Sequence, residues 1–522
     1  MIVDGRTIAP GTSIQADLCI VGAGPTGIAI ACEFVNHPSR VVLLESGGTS
    51  IREEIQSLCR GNIIGHPYPP LHVCRRRILG GASSYWGGWS RPLDDIDFEE
   101  RAWVPHSGWP FTRDHLKAEY VRAHTIWKLG EHGDGEMPNL EGIGHLVNPV
   151  QSSCENIVFR VKGTRFGKAY RTELERARNL DLLLHANVFE IEMDRDHKAA
   201  QSVRVATLAG NRFTVSAHNF VLAAGGIENP RILLASCGSR SSGIGNNNDL
   251  VGRFFADHLH LQLPSISLNG RQVPSFYHLR KMGEAALRGG MALTENVRRR
   301  NKLLGFAITI HNPDDPHDVV YPDYKCSGYT SLLALTKPLM DGELPDGLGY
   351  HLRSILRHPV DAFTLSLRKL IKARWRQLAV GCRAEQTPNP NSRVLLDHER
   401  DAFGMNKIRL NWRLTEQDLD SLKRAQQLLY NEWKFTDKYP RATQWAGELA
   451  ADVIGASHHM GTTRMHRDPK LGVVDETCRV HGIRNLYIAG SSVFPTAGWA
   501  PPTLTVIALA LRLADSLKQS RR

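Results

Sequence analysis

Residues 16–27 have the sequence ADLCIVGAGPTG, in which a short apolar run, 16–21, leads directly into a glycine-rich turn, 22–27. Residues 26–35 then follow a helical pattern, and RVVLLE at 40–45 predicts a second strand. A strand, a glycine turn, a helix and a second strand within about 30 residues form the βαβ unit that binds dinucleotides. The sequence therefore predicts an α/β chain that opens with a Rossmann-like domain.

The turn contains the three glycines of the dinucleotide fingerprint, Gly22, Gly24 and Gly27. The first permits the tight turn, the second lets the backbone approach a pyrophosphate, and the third allows close packing of helix on strand. Glu45 ends the second strand, where an acidic residue is expected to bind a ribose 2′-hydroxyl. Because an acid repels a 2′-phosphate, the pattern favours FAD or NAD over NADP and leaves the choice between those two open.

Two further glycine-rich stretches are candidates for contact with a large ligand. RRRILGGASSYWGG spans 75–88, where glycines let the backbone pass close to a ligand and Arg77 can neutralise a diphosphate. AAGG at 223–226, which includes Ala224, follows the predicted strand FVL. Taken alone, the second stretch is better explained as an ordinary turn from a strand to a helix.

Later segments continue the α/β pattern and add a second region. LDLLLHANVFEIEMD at 180–194 and NRFTVSAHNFVLAAGG at 211–226 predict strands that enter turns. KIRLNWRL at 407–414 alternates and predicts an antiparallel strand of a second domain, and 414–435 returns to a helical pattern. The apolar segment 503–517 predicts a buried helix.

Length and composition exclude several classes of protein. A chain of 522 residues is too long for one ordinary core, and 42% hydrophobic with 22% charged residues is typical of a globular protein. The sequence has neither a recognisable export signal nor a run of ~20 uncharged apolar residues, so we expect a cytoplasmic location. Nine scattered cysteines without a CxxC pair fit reduced thiols better than disulfides or zinc, and no metal site is predicted.

The net charge of +11 is partly concentrated at 352–378, where apolar residues recur at roughly helical spacing among arginines and lysines. We expect a surface helix whose apolar stripe packs inward. Peripheral contact with an anionic membrane, or with an acidic partner, is the less favoured alternative. No nucleic-acid-binding module accompanies the charge, so no nucleic-acid partner is expected.

Several stretches together resemble the glucose–methanol–choline (GMC) family of FAD-dependent oxidoreductases. In the family's order they are GAGPTG with Glu45, RRRILGGASS, RPLDDIDFEERAWVPHSGWPFT, FVLAAGGIENPRILLAS, DLVGRFFADH, EQTPNPNSRVLL, HHMGTTRM and GSSVFPTAGWAPPTLT. They cover nearly the whole chain. Within the family they are most similar to members that oxidise sugars and glycosides, such as pyranose oxidase.

The resemblance implies the GMC oxidoreductase fold, with a Rossmann-like FAD-binding domain and a substrate domain made of a β-sheet with flanking helices. The FAD-binding domain would comprise 1–260 and 441–522, with some substrate-side loops within 85–180. The substrate-binding domain would comprise 261–440.

The resemblance also implies which residues bind FAD. Gly22, Gly24 and Gly27 would hold the pyrophosphate, Glu45 the adenosine ribose, Val188 the adenine through its backbone, Gly80, Gly81, Ser83 and Ser84 the isoalloxazine edge, and Gly490, Ser491, Pro502 and Thr503 its pyrimidine side. Pyranose oxidase has a covalently linked histidine at the position of Tyr85. Because tyrosine lacks that nitrogen, we expect FAD to be bound non-covalently.

His458, the first residue of HHMGTTRM, aligns with the family's catalytic histidine, which accepts the alcohol proton while a hydride passes to flavin N5. Imidazole suits this role because its pKa of ~6.5 leaves a neutral, basic fraction at neutral pH. His459 is a second candidate for substrate contact, and a packed, hydrogen-bonded histidine is the other interpretation. The family usually has Asn or His just before Pro-Thr, whereas this chain has Pro501, which has neither an N–H nor a polar side chain.

Three explanations for Pro501 stay open at this point: another residue substitutes, the substrate brings its own donor, or the chain has left alcohol oxidation. We favour the first, and the candidate substitutes are His459, His258, His260, Gln386 and Tyr85. The predicted function is therefore FAD-dependent oxidation of an alcohol group of a sugar, glycoside or polyol, with oxygen or a separate electron acceptor. A non-redox flavoprotein lyase and a catalytically impaired flavin-binding subunit are the alternatives.

Overall fold

The fold is taken from a computed structural model of the chain. The described residues are 1–130, 153–236, 242–267, 274–311, 348–357, 359–360, 377–434 and 452–519, with six positions between 328 and 339.

The described strands, in chain order, are β1 Ile2–Asp4, β2 Ser13–Val21, β3 Val41–Leu44, β4 Gly61–Ile63, β5 Trp89–Ser90, β6 Cys154–Val161, β7 Leu180–Leu184, β8 Asn187–Met193, β9 Ala200–Ala206, β10 Arg212–Leu222, β11 Leu259–Ser267, β12 Arg280–Met282, β13 Ala285–Leu293, β14 Phe306–His311, β15 Gln377–Ala384, β16 Arg393–Arg400, β17 Asn406–Asn411, β18 Ile454–Gly455 and β19 Leu486–Ile488. The described helices are α1 Pro25–Glu33, α2 Glu53–Ser57, α3 Asp95–Phe98, α4 Lys117–Trp127, α5 Phe166–Arg176, α6 Gly225–Ala235, α7 Glu295–Asn301, α8 Leu348–Arg357, α9 Glu416–Lys434 and α10 Thr503–Gln519.

A largely parallel sheet forms the first half of the molecule. Its order is β1-β7-β3-β2-β10-β9-β8, and β19 also pairs with β10. Strands β1, β7, β3, β2, β10 and β19 run parallel, whereas β9 is antiparallel to β10 and to β8. All four residues of β3 are buried, as expected of a parallel strand covered on both faces. The predicted strand–turn–helix–strand opening is confirmed in β2, α1 and β3.

Helix α10 confirms the prediction of a buried helix at 503–517. It packs against α1 and α4, and most of its side chains are buried, including those of Leu504, Ile507 and Leu511. The C-terminal segment thus completes the domain that the N-terminal segment begins. A helix buried on several sides can be apolar nearly all round, which matches its sequence.

An antiparallel sheet forms the second half, in the order β18-β11-β15-β14-β13-β6-β5, with β12 also pairing with β13. One face carries Leu261, Cys382 and Ile308, which pack in the second core. On the opposite face the register places His260 beside Arg383, and Arg383 beside Ala307. Ala307 belongs to the core cluster of the first sheet, so this polar face is directed towards the Rossmann-like half.

A small third sheet contains the strand that the pattern KIRLNWRL predicts. Strand β17 is antiparallel to β16, as predicted, and its other neighbour is β4, which runs parallel to it. The strand therefore lies outside the larger antiparallel sheet. Helix α9 confirms the helical pattern predicted for 414–435.

Strands β4, β5 and β6 follow β3 in sequence but belong to the other two sheets, and the chain returns to the first sheet at β7. Strands β5 and β6 pair within the antiparallel sheet although they precede most of it in sequence. We retain the division into 1–260 with 441–522 and 261–440 as a proposal, with β5 and β6 as the substrate-side part of 85–180.

The basic, amphipathic segment 352–378 differs from its prediction. Helix α8 ends at Arg357, and residues 377–378 begin strand β15, while 358 and 361–376 lie outside the described residues. The expectation that the apolar stripe packs inward is wrong for Leu352 and Leu356, which are 46% and 77% exposed. Helical spacing defines a stripe but not which neighbour covers it. None of the described helices is long and apolar enough to span a membrane.

Candidate active site

The carboxyl ends of the parallel strands carry the residues predicted to bind a nucleotide. Strand β2 ends at the glycine turn, β3 at Glu45, β10 at Ala223–Ala224 and β19 at Ala489–Gly490. Because parallel strands end at one edge of their sheet, these segments, distant in sequence, share one edge. Ligands of open α/β sheets bind at this edge.

The glycine turn has the geometry that its sequence predicts. Gly22 has φ of +105°, which disfavours any residue with a Cβ, and a Cβ on Gly27 would lie 1.9 Å from the carbonyl oxygen of Gly22. Gly24 is the N-cap of α1 and makes no side-chain capping hydrogen bond. The amide groups of the first turn of α1 are therefore available to an anion such as a pyrophosphate.

Glu45 is buried and holds the turn in place. One carboxylate oxygen accepts the Ala23 N–H at 3.0 Å, and the other accepts the Gly47 N–H at 2.8 Å and the Ser46 hydroxyl at 3.1 Å. Burial raises the pKa of the Glu45 carboxyl, and these hydrogen bonds oppose the rise. Besides its predicted ribose contact, Glu45 thus shapes the turn itself.

The second glycine-rich loop lies directly against the first. The Gly80 N–H donates to the Ala23 carbonyl at 2.8 Å, and a Cβ on Gly81 would lie 3.1 Å from the Cα of Gly24. Ser83 is buried; its hydroxyl donates to the Gly80 carbonyl at 2.6 Å and accepts the Phe166 N–H. The Ser83 hydroxyl therefore links this loop to the first residue of α5.

Ser84 and Arg77, which were also predicted to contact the cofactor, form hydrogen bonds within the protein. Ser84 donates its hydroxyl to the Gly81 carbonyl at 2.8 Å. Arg77 donates to Glu228 at 2.8 Å, and Glu228 also accepts from Arg75 and Arg231, each at 2.9 Å. Arg77 thus shares one carboxylate with two other arginines, and direct neutralisation of a diphosphate by Arg77 stays a prediction.

The remaining predicted FAD residues occupy three places on the same half of the molecule. Val188 is half-buried in β8 beside a register irregularity, and Ala224 caps α6. Gly490 has φ of +132°, and the hydroxyl of Ser491 donates to the His459 carbonyl at 2.6 Å. Pro502 and Thr503 stand at the N-terminal end of α10.

Four histidines come together where β18 pairs with β11. The pairing of His260 with Ile454 places the start of β11 beside the loop that contains His458 and His459. The Nδ1 atoms of His258 and His458, 200 residues apart in sequence, lie 2.9 Å apart, and the two rings are nearly perpendicular. His260 lies further away, with its ring 6.2 Å from that of His458 and its Nε2 accepting from Arg383 at 3.1 Å.

Asp257 anchors both histidines through their backbones. The same carboxylate oxygen accepts the N–H of His258 at 2.7 Å and that of His458 at 2.9 Å. The other oxygen accepts the Ser457 N–H at 2.9 Å and the hydroxyl of Tyr68. Burial raises the pKa of the Asp257 carboxyl to about 6, against these four donors. Sequence reasoning missed Asp257, although an acid directly before a histidine in FFADH was a visible signal.

All four imidazoles are neutral at neutral pH. Burial, followed by the charges of neighbours such as Arg383, holds the pKa of His458 and His260 well below 6.5. Burial also lowers the pKa of His258 and of His459 to about 3. A neutral imidazole can accept a proton, as a general base requires. In the described part of the chain, no group of His, Cys, Asp and Glu side chains is arranged to hold a metal ion.

Of the five candidate substitutes for the group missing at Pro501, only His258 is hydrogen-bonded to His458 in the described residues. The ring of His459 packs against Tyr68 and Phe255, with centroids 6.0 and 5.9 Å apart. Gln386 accepts from the Asp257 N–H and from Trp412 and donates to the Arg413 carbonyl, so its amide belongs to the core. Tyr85 is 44% exposed and lies under the guanidinium of Arg76.

Family models match the two parts of the chain that carry the four histidines. Both are described as GMC oxidoreductase, and they match residues 148–260 and 388–510. The 6'''-hydroxyparomomycin C oxidase of Streptomyces lividus is 25% identical over 98% of this chain and 93% of its own length. The 2-methyl-1,2-propanediol dehydrogenase of Mycolicibacterium austroafricanum is 22% identical over 97% of this chain and 95% of its own length.

Solved structures support the same fold. The crystal structure of pyridoxine 4-oxidase from Mesorbium loti superposes with a TM-score of 0.61 at 18% sequence identity, covering 96% of this chain and 98% of that one. At this identity the likeness concerns the fold alone.

Proposed function

The chain belongs to the GMC oxidoreductase family, and we propose that it oxidises an alcohol group of a sugar, glycoside or polyol, with His458 as the base. The cofactor of the reaction is FAD, which supplies the hydride acceptor when bound. The single observation that carries the proposal is a neutral, half-buried His458, held at Nδ1 and lying between the nucleotide edge of the first sheet and the polar face of the second.

The residues at the nucleotide edge fit FAD. Two helices, α1 and α6, present N-termini without side-chain caps. The Gly22 carbonyl leaves no room for a Cβ on Gly27, and a Cβ on Gly81 would lie 3.1 Å from the Cα of Gly24. Such bare backbone can approach a pyrophosphate and a flat ring system closely. Tyr85 at the position of a histidine linkage supports non-covalent binding.

His458 performs the proton chemistry of the proposed reaction. Since Nδ1 is engaged by His258, the atom that accepts the hydroxyl proton of the substrate is Nε2. Burial keeps this atom unprotonated at neutral pH, so its lone pair is available to accept the proton.

The face of the second sheet supports a polyhydroxylated substrate. It carries the polar side chains of His260, Arg383 and Thr309 beside the small residue Ala307. The relatives named 6'''-hydroxyparomomycin C oxidase and 2-methyl-1,2-propanediol dehydrogenase support oxidation over a lyase reaction. Oxygen or a separate protein as electron acceptor, and a cytoplasmic location, stay predictions.

The test is anaerobic mixing of the FAD-loaded protein with a panel of sugars, glycosides and simple diols. At least one should bleach the yellow flavin, and acid denaturation should release free FAD. His458→Ala should slow flavin reduction by a factor on the order of 10²–10⁴. The control is His398→Ala, which removes an exposed histidine. Unchanged flavin reduction in His458→Ala would refute the assignment of the base, and bleaching by none of the panel would refute the substrate class.

A further inference from the structure

We infer that His258 is a positioning residue for the reaction: it fixes the tautomer and the ring orientation of His458. The inference rests on the proposed function. It starts from two neutral rings whose Nδ1 atoms lie 2.9 Å apart, a separation at which one nitrogen must donate and the other accept.

Only one arrangement of protons leaves His458 able to act. If His258 donated from Nδ1, the proton of His458 would sit on Nε2, and that atom could not accept another. If His458 donates from Nδ1, its Nε2 carries a lone pair, and the proton of His258 sits on its own Nε2. A neutral imidazole has one N–H, so the two tautomers are set together.

The surroundings of His258 favour the second arrangement. Its Nε2 is buried and makes no full hydrogen bond. The backbone of Ala497 and Gly498 lies near the His258 ring and favours its protonated form. Both residues belong to the loop that continues to Pro501. His258 therefore stands between His458 and the loop that in other family members carries the second polar side chain.

The pair is held in place before substrate arrives. The single oxygen of Asp257 that accepts both backbone N–H groups fixes the separation of the two residues. When His458 gains the substrate proton at Nε2, its Nδ1–H remains donated to the lone pair of His258, which stabilises the imidazolium.

Two matched substitutions test the inference. His258→Asn places its Oδ1 near the position of Nδ1 and keeps an acceptor for the Nδ1–H of His458. His258→Gln is closer in volume to histidine but places its amide near the position of Nε2 and leaves no acceptor. Each variant would be loaded with FAD and mixed anaerobically with the substrate that reduces the wild type, and its limiting rate and apparent substrate Kd would be measured.

We expect His258→Gln to lower the limiting rate of flavin reduction by a factor on the order of 10–100, with the substrate Kd unchanged within about threefold, while His258→Asn retains most of the rate. Equal rates in the two variants, or a faster Gln variant, would overturn the inference, as would a loss confined to the Kd. If His458→Ala kept its activity, the proposed function itself would fall. If His458→Ala is inactive and His258→Gln resembles the wild type, only the role of His258 fails.

Discussion

A buried ion-pair cluster beside the second sheet gives the sharpest stability prediction. Arg101 forms a two-pronged pair with Glu385, and both side chains are fully buried. Arg298 lies 3.5 Å from Glu385 and donates to Asp97 at 2.8 Å. Replacing Glu385 with Gln keeps the shape but leaves two buried guanidinium groups with one fewer negative charge, and such a loss is strongly destabilising.

The magnitude follows from the pKa of Glu385. Its arginine partners outweigh burial and lower the pKa from 4.5 to about 2, which corresponds to about 3 kcal/mol in favour of the ionised form. Breaking a buried pair from one side costs about 3–5 kcal/mol. We therefore expect Glu385→Gln to destabilise the FAD-loaded protein by about 3–5 kcal/mol at pH 7. Because the folded-state pKa is depressed, the stabilisation is present above pH 4.5 and is lost as the pH falls towards 2, so the difference between the proteins should shrink in acid.

Urea unfolding at pH 7 and pH 4, followed by flavin and tryptophan fluorescence, measures the effect. The control is Glu295→Gln, which removes an exposed acid 2.7 Å from Arg299 and should cost less than about 1 kcal/mol. Adding Arg101→Met to Glu385→Gln should restore part of the loss, because the uncompensated charge is then gone. A loss at pH 7 no larger than that of Glu295→Gln, or a loss that grows in acid, would refute the reasoning.

Three further predictions concern the site. The limiting rate of flavin reduction should be constant from pH 8 to below pH 6.5, because burial keeps His458 neutral there; an apparent pKa at or above 6.5 in a stopped-flow profile would contradict this. His459→Gln should leave that rate within about threefold. In the wild type, the folded-state pKa of His459 is about 3, so the unfolded chain binds a proton below pH 6.5 that the folded protein does not, and the free energy of unfolding falls. His459→Gln should therefore lose about 2 kcal/mol less of its free energy of unfolding between pH 7 and pH 5. Gly27→Ala should abolish FAD binding in a titration, because its Cβ would lie 1.9 Å from the carbonyl oxygen of Gly22, whereas Gly349→Ala, with nothing within 4 Å, should bind normally.

Local pattern predicted much of the first domain. Strands β2 and β3 and helices α1 and α10 lie at the predicted places. Their signals, which are glycines at fixed spacing between apolar strands and an apolar C-terminal segment, depend only on residues close together in sequence. The same local signals misled at 377–378, where β15 begins, and at Leu352 and Leu356, which are exposed. Periodicity describes one helix or strand at a time and does not show which neighbouring element, if any, covers its apolar face.

The amino-acid sequence by itself determined the nucleotide-binding half of this protein and singled out His458 as the candidate base. Only the tertiary structure decided which group stands beside His458. Five residues were candidates. The pairing of β11 with β18 brings His258 into contact with His458, whereas His459 packs among aromatic rings and Tyr85 is exposed. Asp257 likewise comes into contact with the backbone of His458 only in the folded structure. Hydrogen bonds across 200 residues depend on sheet pairing and on burial, which no short stretch of sequence encodes.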